Sequence, residues 1–292
     1  MKNGRIVKLT GGLYTVQDEN GNRYDIKPRG LFRHKDISPK VGDMVRYSDD
    51  AIEEVLPRNN ELVRPPIANV DQAILIHSAK EPTFSFYLLD RFLVLVEQEH
   101  IKPVIVVTKI DLLTDTELTT LKTQLNYYKQ YYDIYFTSTK DPSTLTTIQG
   151  LLANKISVFA GQTGAGKSSL LNALDIDLDL ETGTISKALG RGKHTTRHTE
   201  LHKAYDGLVA DTPGFSKLDF YELEKDEIKD NYPDFVSYQT DCKFRGCLHL
   251  NEPKCAVKAA VENGEIPKFR YDNYKLIYNE IDQKKTIYKK GK

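Results

Sequence analysis

Short runs of alternating apolar and polar residues dominate the first part of the chain. Residues 5–9 and 13–16 follow the two-residue period of a half-buried strand, and 23–26, 44–47 and 52–56 continue the series. Asn20-Gly21 reads as a hairpin turn, and Val41-Gly42-Asp43 punctuates the chain before the fourth run. Such a set of short strands predicts a small β-barrel, with an OB-fold as the natural candidate. Pro57 and the Pro65-Pro66 pair read as a linker out of it. The pattern then changes. Residues 72–76, 104–107, 134–136, 156–160 and 208–210 are continuous apolar runs, as parallel strands covered on both faces require. Between them, 88–97, 117–128, 143–152 and 168–174 carry apolar positions at helical spacing. This alternation predicts a doubly wound α/β domain. Three domains are expected: a barrel over 1–64, the α/β domain over 65–220, and a mainly helical domain over 221–292.

Composition narrows the classes. The chain has 292 residues, and 41 basic side chains balance 41 acidic ones. Apolar residues make up 39% and charged residues 28%, an ordinary globular mixture that excludes disorder, collagen and a coiled coil as the main organisation. No apolar run approaches the roughly 18–20 residues of a membrane span, so no membrane association is expected. The first residues lack the apolar stretch of a secretory signal, and a cytoplasmic location is expected. The charge is uneven along the chain. Arg23, Lys27, Arg29, Arg33, Lys35 and Lys40 face only Asp25 and Asp36 in their stretch. In the last 25 residues, basic side chains interleave with Phe269, Tyr271, Tyr274, Tyr278 and Tyr288. Basic stretches with aromatics can hold phosphate backbones and stack on bases. The alternative for each is a solvated surface, with an amphipathic helix at the tail.

The chemistry begins at Gly161-Gln162-Thr163-Gly164-Ala165-Gly166-Lys167-Ser168, a P-loop that follows one apolar run and opens a helical pattern through Ser169. Its glycines let backbone N–H groups wrap phosphates at a helix N-terminus. Lys167 would reach the β- and γ-phosphates, and the Ser168 hydroxyl would ligate magnesium. Asp211-Thr212-Pro213-Gly214 follows another apolar run. Asp211 there can hold the magnesium through water, and the Gly214 backbone can sense the γ-phosphate. Thr108-Lys109-Ile110-Asp111 supplies the base reader. The Asp111 carboxylate accepts from the N1 and N2 groups of guanine, a donor pair that adenine lacks. The Lys109 stem would pack along the nucleotide. The segment around Ser138 and Thr139 can contact the guanine O6 by backbone N–H. These are Ras-like GTPase motifs in permuted order, since the base reader precedes the P-loop. Permutation preserves a site when the old termini lie close together. The residue after Gly214, where Ras-like enzymes commonly carry a glutamine that positions water, is Phe215. Slow hydrolysis by the isolated protein follows. Rival readings are a GTP-dependent RNA-binding switch and a P-loop ATPase or small-molecule kinase, the last opposed by Asp111.

All three cysteines fall in one window: Cys242-x4-Cys247-x-His249-x5-Cys255. Three thiolates and an imidazole suit closed tetrahedral zinc in a structural role. Lys243, Arg245 and Lys254 share that window and could face RNA.

Taken together, GQTGAGKSSLLNAL (161–174), DTPGF (211–215), LGRGKHTTRHTEL (189–201), the permuted order and the Cys/His cluster resemble the ribosome-small-subunit-dependent GTPase A family, also called RsgA or YjeQ. The resemblance covers the whole length. It implies an N-terminal OB-fold, a circularly permuted Ras-like GTPase domain and a C-terminal zinc-binding domain. It also implies GTP hydrolysis to GDP in late maturation of the small ribosomal subunit, with subunit and rRNA as partners and the protein monomeric. By resemblance Thr196 is the switch threonine that binds magnesium, with Thr195 as the alternative. His194 is the candidate for positioning water, and an exposed loop histidine touching RNA or nothing is the other reading. Thr108 departs from the family's usual asparagine. It cannot supply the amide that contacts the base and braces the P-loop, so guanine selectivity is left to Asp111.

Overall fold

The computed structural model describes residues 1–30, 32, 38–62, 66–176, 199–210 and 223–290, the side chains of 284–290 excepted. Thirteen strands are described: β1 (Lys2–Thr10), β2 (Leu13–Gln17), β3 (Arg23–Pro28), β4 (Met44–Tyr47), β5 (Ala51–Val55), β6 (Glu61–Leu62), β7 (Ile67–Ala68), β8 (Gln72–Ser78), β9 (Lys102–Thr108), β10 (Asp133–Phe136), β11 (Ile156–Gly161), β12 (Thr199–Ala204) and β13 (Gly207–Ala210). The helices are α1 (Phe86–Gln98), α2 (Asp115–Leu125), α3 (Pro142–Leu152), α4 (Lys167–Ala173), α5 (Pro233–Gln239), α6 (Ala256–Glu262) and α7 (Lys268–Lys290). The chain forms two compact units. One comprises Met1–Ile74 and Ser138–Ser216, the other Leu75–Thr137 and Lys217–Lys292.

In the first unit β1 pairs with β2, β2 with β3, β3 with β5, β5 with β4, and β4 returns to β1. The five strands therefore close a barrel, which removes the exposed edges a five-stranded open sheet would present. Ile6, Val16, Val45 and Ile52 fill it, fully buried. Beyond residue 10 the turn signals hold: Asp18 accepts from the backbone of Asn20 and Asn22, fixing the hairpin at Asn20-Gly21. The described residues of the segment expected to be a linker carry a short antiparallel pairing. Glu61 and Leu62 pair with Ala68 and Ile67, and Leu62, Ile67 and Ala68 are buried. Gly42, at φ +95°, makes this possible, because a Cβ there would sit 2.0 Å from the Ala68 carbonyl. Arg58 seals the joint with Nε–Oδ1 and Nη2–Oδ2 bonds of 2.7 and 2.8 Å to buried Asp43.

The same unit holds the phosphate-loop strand. β11 runs parallel to β13, β13 antiparallel to β12, and β12 antiparallel to β1. Strand β12 is absent from the sequence expectation, because its residues TELHKA mix polar and apolar side chains without a continuous run. Lys8 and Arg23 of the barrel meet Glu200 on β12.

In the second unit β9 and β10 are parallel and β8 lies beside β9. Ser85 caps α1 by accepting from Leu88 N–H, and Thr114 with Glu117 forms a capping box on α2. The remaining helices build a core from Ile228, Tyr232, Phe235, Ile266, Tyr274, Ile277 and Ile281, into which Val94 of α1 also packs. Helix α7 corrects one expectation. Tyr274 and Tyr278 are buried core residues, and Arg270 is buried and ion-paired. The tail's apolar stripe at helical spacing serves packing, so these aromatics do not stack on bases. Tyr288 lies among the side chains outside the described set. No described helix is long and apolar enough to cross a membrane.

Candidate nucleotide and metal sites

The phosphate loop leaves β11 at Gly161 and enters α4 at Lys167. Gly164 and Gly166 adopt φ of +82° and +89°, conformations that L side chains rarely accept. Ala165 N–H closes a turn on the Gln162 carbonyl at 3.0 Å, and Leu170 N–H starts the helix on the Gly166 carbonyl at 2.8 Å. Thr163, Gly164 and Ser169 are exposed, while Gly161 and Ala165 are buried. A strand, a tight loop and a helix N-terminus are thus in the order an anion cradle needs. Nearby in the chain, Ser138 is buried and its N–H is taken by the Thr144 hydroxyl at 3.2 Å. Thr139 is exposed.

The segment expected to read the base, residues 108–111, stands at the end of β9 in the second unit. Thr108 is buried; its hydroxyl donates to the His77 carbonyl at 3.3 Å, and its own carbonyl accepts from Ala79 N–H at 2.9 Å. Lys109 turns the chain with φ +57° and donates from Nζ to the Glu81 carbonyl. Ile110 opens a single 3-10 turn, and Asp111 in that turn is exposed.

In the last 60 residues Cys242, Cys247, His249 and Cys255 bring one ligand atom each within 4.8 Å of the others. The Cys242 Sγ to His249 Nδ1 distance is 3.7 Å, Cys242 Sγ to Cys255 Sγ is 3.9 Å, and His249 Nδ1 to Cys255 Sγ is 3.3 Å. A tetrahedral ion with bonds of about 2.0–2.3 Å separates its ligands by about 3.3–3.8 Å, so the donor set fits a zinc-sized ion. Gly246, His249 and Lys254 take left-handed conformations that fold the loop around this point. Ala256 N–H and Lys258 N–H point at Cys242 and Cys255 sulfurs, and the Leu248 and Leu250 N–H groups are held by Glu252. Burial pushes the Cys255 thiol up to about 12 and the Cys247 thiol above its usual range. Burial also drives His249 down to about 4, keeping it the neutral ligand a metal needs. Loading the site therefore displaces protons.

Two family models cover the chain: the RsgA N-terminal domain over residues 3–54 and the RsgA GTPase over 55–221. The chain belongs to the RsgA GTPase family. It is 51% identical, over 99% of its length and all of the relative's, to "Small ribosomal subunit biogenesis GTPase RsgA 2" of Oceanobacillus iheyensis. It is 50% identical, over 99% of its length and all of the relative's, to the RsgA of Bacillus subtilis. Among solved structures it resembles YloQ, described as a circularly permuted GTPase, at 45% identity and a TM-score of 0.82, covering 97% of this chain and 96% of that one. YjeQ from Thermotoga maritima matches at 39% identity and a TM-score of 0.84, over 96% and 98%. The permuted GTPase fold and GTPase activity are those of the family.

His194, Thr195, Thr196, Asp211, Gly214 and Phe215 lie outside the described residues. Support for the metal cluster escaped the sequence. Tyr271 donates its hydroxyl to the His249 carbonyl and Tyr274 to the Leu248 carbonyl, both at 2.6 Å. Their i, i+3 spacing on α7 was visible, but their target was not. Likewise unannounced is the buried triad of Arg270 with Asp90 and Asp234, whose members lie 180 and 36 positions apart.

Proposed function

We propose that this protein is a GTPase that binds the small ribosomal subunit late in its maturation, hydrolyses GTP there and is stimulated by it. The observation that carries this reading is full-length similarity, near 50% identity, to proteins named for small-subunit biogenesis. The P-loop geometry at 161–168 supports the chemistry. In this reading Gly161 to Gly166 wrap the phosphates, Lys167 neutralises the β- and γ-phosphates, and Ser169 extends the N–H row. Asp111 reads the guanine edge, with Thr108, Lys109 and Ile110 forming its loop. Ser138 N–H is already engaged, so Thr139 N–H is the better placed donor to O6, with Ser138 shaping the turn. Magnesium would be held by Ser168, Thr196 and Asp211, and would offset charge on the transferring phosphoryl group. Gly214 would report the γ-phosphate and His194 would orient water. Cys242, Cys247, His249 and Cys255 hold one structural zinc. A monomer in the cytoplasm completes the proposal. Exposed Lys243, Arg245 and Lys254 around the zinc loop supply cations for rRNA. The test is GTP turnover with and without isolated small subunits. Turnover unaffected by subunits, together with no co-sedimentation in any nucleotide state, would overturn it.

A further inference from the structure

A cavity of about 450 Å³ opens beside the Cys/His cluster. That is within the roughly 300–1,000 Å³ of small-ligand pockets. Its wall carries Lys229, Lys243 and Arg245, and among the described residues no carboxylate lines it. Lys243 and Arg245 are exposed, while the Lys229 side chain is largely covered. His249 and Gln239 belong to the same wall, and each has a polar atom left over. His249 is fully buried, with Nδ1 at 3.7 and 3.3 Å from the Cys242 and Cys255 sulfurs, and its Nε2 has no hydrogen-bond partner. The buried Oε1 of Gln239 has none either.

The free ring nitrogen points to a ligand. Nδ1 faces the sulfurs, so a neutral ring that gives this atom to a metal carries its hydrogen on Nε2. A metal-bound histidine ordinarily donates that hydrogen to a carboxylate, a carbonyl or water, which fixes the ring. The two nearest carboxylates are otherwise engaged. Asp230 pairs with Lys229 at 2.9 Å, and Glu252 holds the Leu248 and Leu250 N–H groups. Three cations beside a buried N–H favour an oxyanion, and phosphate accepts from both kinds of donor at once. We propose that this cavity binds a phosphate group, held by Lys229, Lys243 and Arg245, whose oxygen accepts from His249 Nε2–H and so steadies a zinc ligand. This rests on the reading of the four side chains as a zinc site. By linkage, an anion that fixes His249 slows loss of the ion, and the loaded loop binds the anion more tightly. An RNA backbone and free phosphate carry the same oxyanion. Exposed Phe244 on the cavity wall offers a stacking ring to a base of the first.

Zinc release from the full chain to an excess of chromophoric chelator is timed in chloride, in inorganic phosphate and with hexauridylate, all at matched ionic strength. A protein-free zinc control sets the chelator's own response. Saturating phosphate should slow release about tenfold. Hexauridylate acting at far lower concentration would assign the site to an RNA backbone, and hexauridylate no better than phosphate would assign it to the free anion. In the inorganic phosphate arm, Arg245→Gln and Lys229→Gln should lose most of the slowing. Lys254→Gln, which removes a cation of the same loop outside the cavity wall, should keep it. Release unchanged by both probes, or slowing lost equally in Arg245→Gln and Lys254→Gln, would overturn the proposal. A wild type without zinc by elemental analysis would sink the metal reading itself and the coupling with it, a failure distinct from a zinc-loaded protein that ignores both anions.

Discussion

Replacing Arg270 by methionine should loosen the unit that carries both the base-reading loop and the metal loop. The guanidinium is fully buried and makes a bidentate pair with Asp234, Nη2–Oδ1 3.0 Å and Nε–Oδ2 3.1 Å. A third bond runs from Nη1 to Asp90, which also accepts from the Tyr128 hydroxyl at 2.6 Å and Asn273 Nδ2 at 2.7 Å. Summing three charge-assisted bonds at about 1.5–3 kcal/mol each gives an upper bound, because the cation's own desolvation cost leaves with it. Breaking a buried pair by removing one partner costs about 3–5 kcal/mol. Here two carboxylates lose their counter-charge, and the guanidinium that sits 4.2 Å over the Tyr232 ring leaves with it, while methionine keeps an unbranched apolar stem of similar length. A loss of about 3–4 kcal/mol is expected, a large share of the roughly 5–15 kcal/mol of a typical domain. The pH dependence carries a sign. Burial, opposed by Arg270, Tyr128 and Asn273, holds the Asp90 carboxyl above its ordinary value. A raised carboxyl contributes stability that is complete below the ordinary carboxylate range and is lost as pH rises through the raised value. Without the guanidinium that window extends upward, so the variant should recover part of its deficit as pH falls from neutral toward the ordinary carboxylate range. The chain has no tryptophan, so urea unfolding is followed by far-UV dichroism and tyrosine emission. Zinc release to a chromophoric chelator reports the metal loop. A deficit under about 1 kcal/mol, or one that is flat with pH, would refute the reasoning.

Asp111→Asn should lower GTP affinity at least about tenfold in a nucleotide-displacement titration, because it removes the acceptor of two guanine donors. Cys247→Ser should leave nucleotide binding intact and lower zinc content, measured by elemental analysis against an expectation of about one ion per wild-type chain. Binding to small subunits should fall steeply with salt, and removing residues 284–292 should flatten that slope in sedimentation assays. His194→Ala should spare GTP and subunit binding but lose most of the subunit-stimulated rate in single-turnover hydrolysis; a retained rate would place the water-positioning group elsewhere.

Much of this was legible from the chain. Period-two runs located the barrel strands, and apolar runs located five strands of the α/β region, because burial on two faces leaves a compositional mark. The P-loop was legible because it needs glycine at φ beyond +80°, at Gly164 and Gly166. The Cys/His cluster was legible because thiols are rare here and gathered in one window. What stayed hidden depends on distant partners. The proline-marked segment after the barrel looked like a linker, yet Gly42 lets Ala68 approach its backbone and packs it. The tail's tyrosines looked available for bases until their hydroxyls met carbonyls of the metal loop. Arg23, Arg29 and Lys40 looked like free phosphate contacts, but they face Glu200, Glu53 and Glu61. Arg23 and Arg29 keep exposed side chains within these pairs, whereas Lys40 is largely covered.

Permutation gives these contacts a consequence. In this chain the segment after Gly214 leads into the helical residues that carry the zinc loop, so sequence order alone suggests that the γ-phosphate sensor pulls directly on that loop. The packing adds a second constraint. The helical core takes in Val94 of α1, and Asp90, Arg91 and Tyr87 of the same helix bond Arg270 and Glu280 of α7. Helix α7 in turn holds the zinc loop by two tyrosine hydroxyls. The Cys/His loop is therefore built onto the unit that carries residues 108–111, through a helix that lies between β8 and β9 in the chain. The interface of α1, α5 and α7 resists any displacement of that loop, because its buried ion triad breaks at a cost of several kcal/mol. Nucleotide state can move the zinc loop freely only if α1 moves with it. An Arg270→Met protein, with the interface weakened, should then show a nucleotide-dependent change in zinc release that the wild type lacks. If wild type and variant release zinc at rates equally sensitive to GTP and GDP, α1 does not restrain the loop.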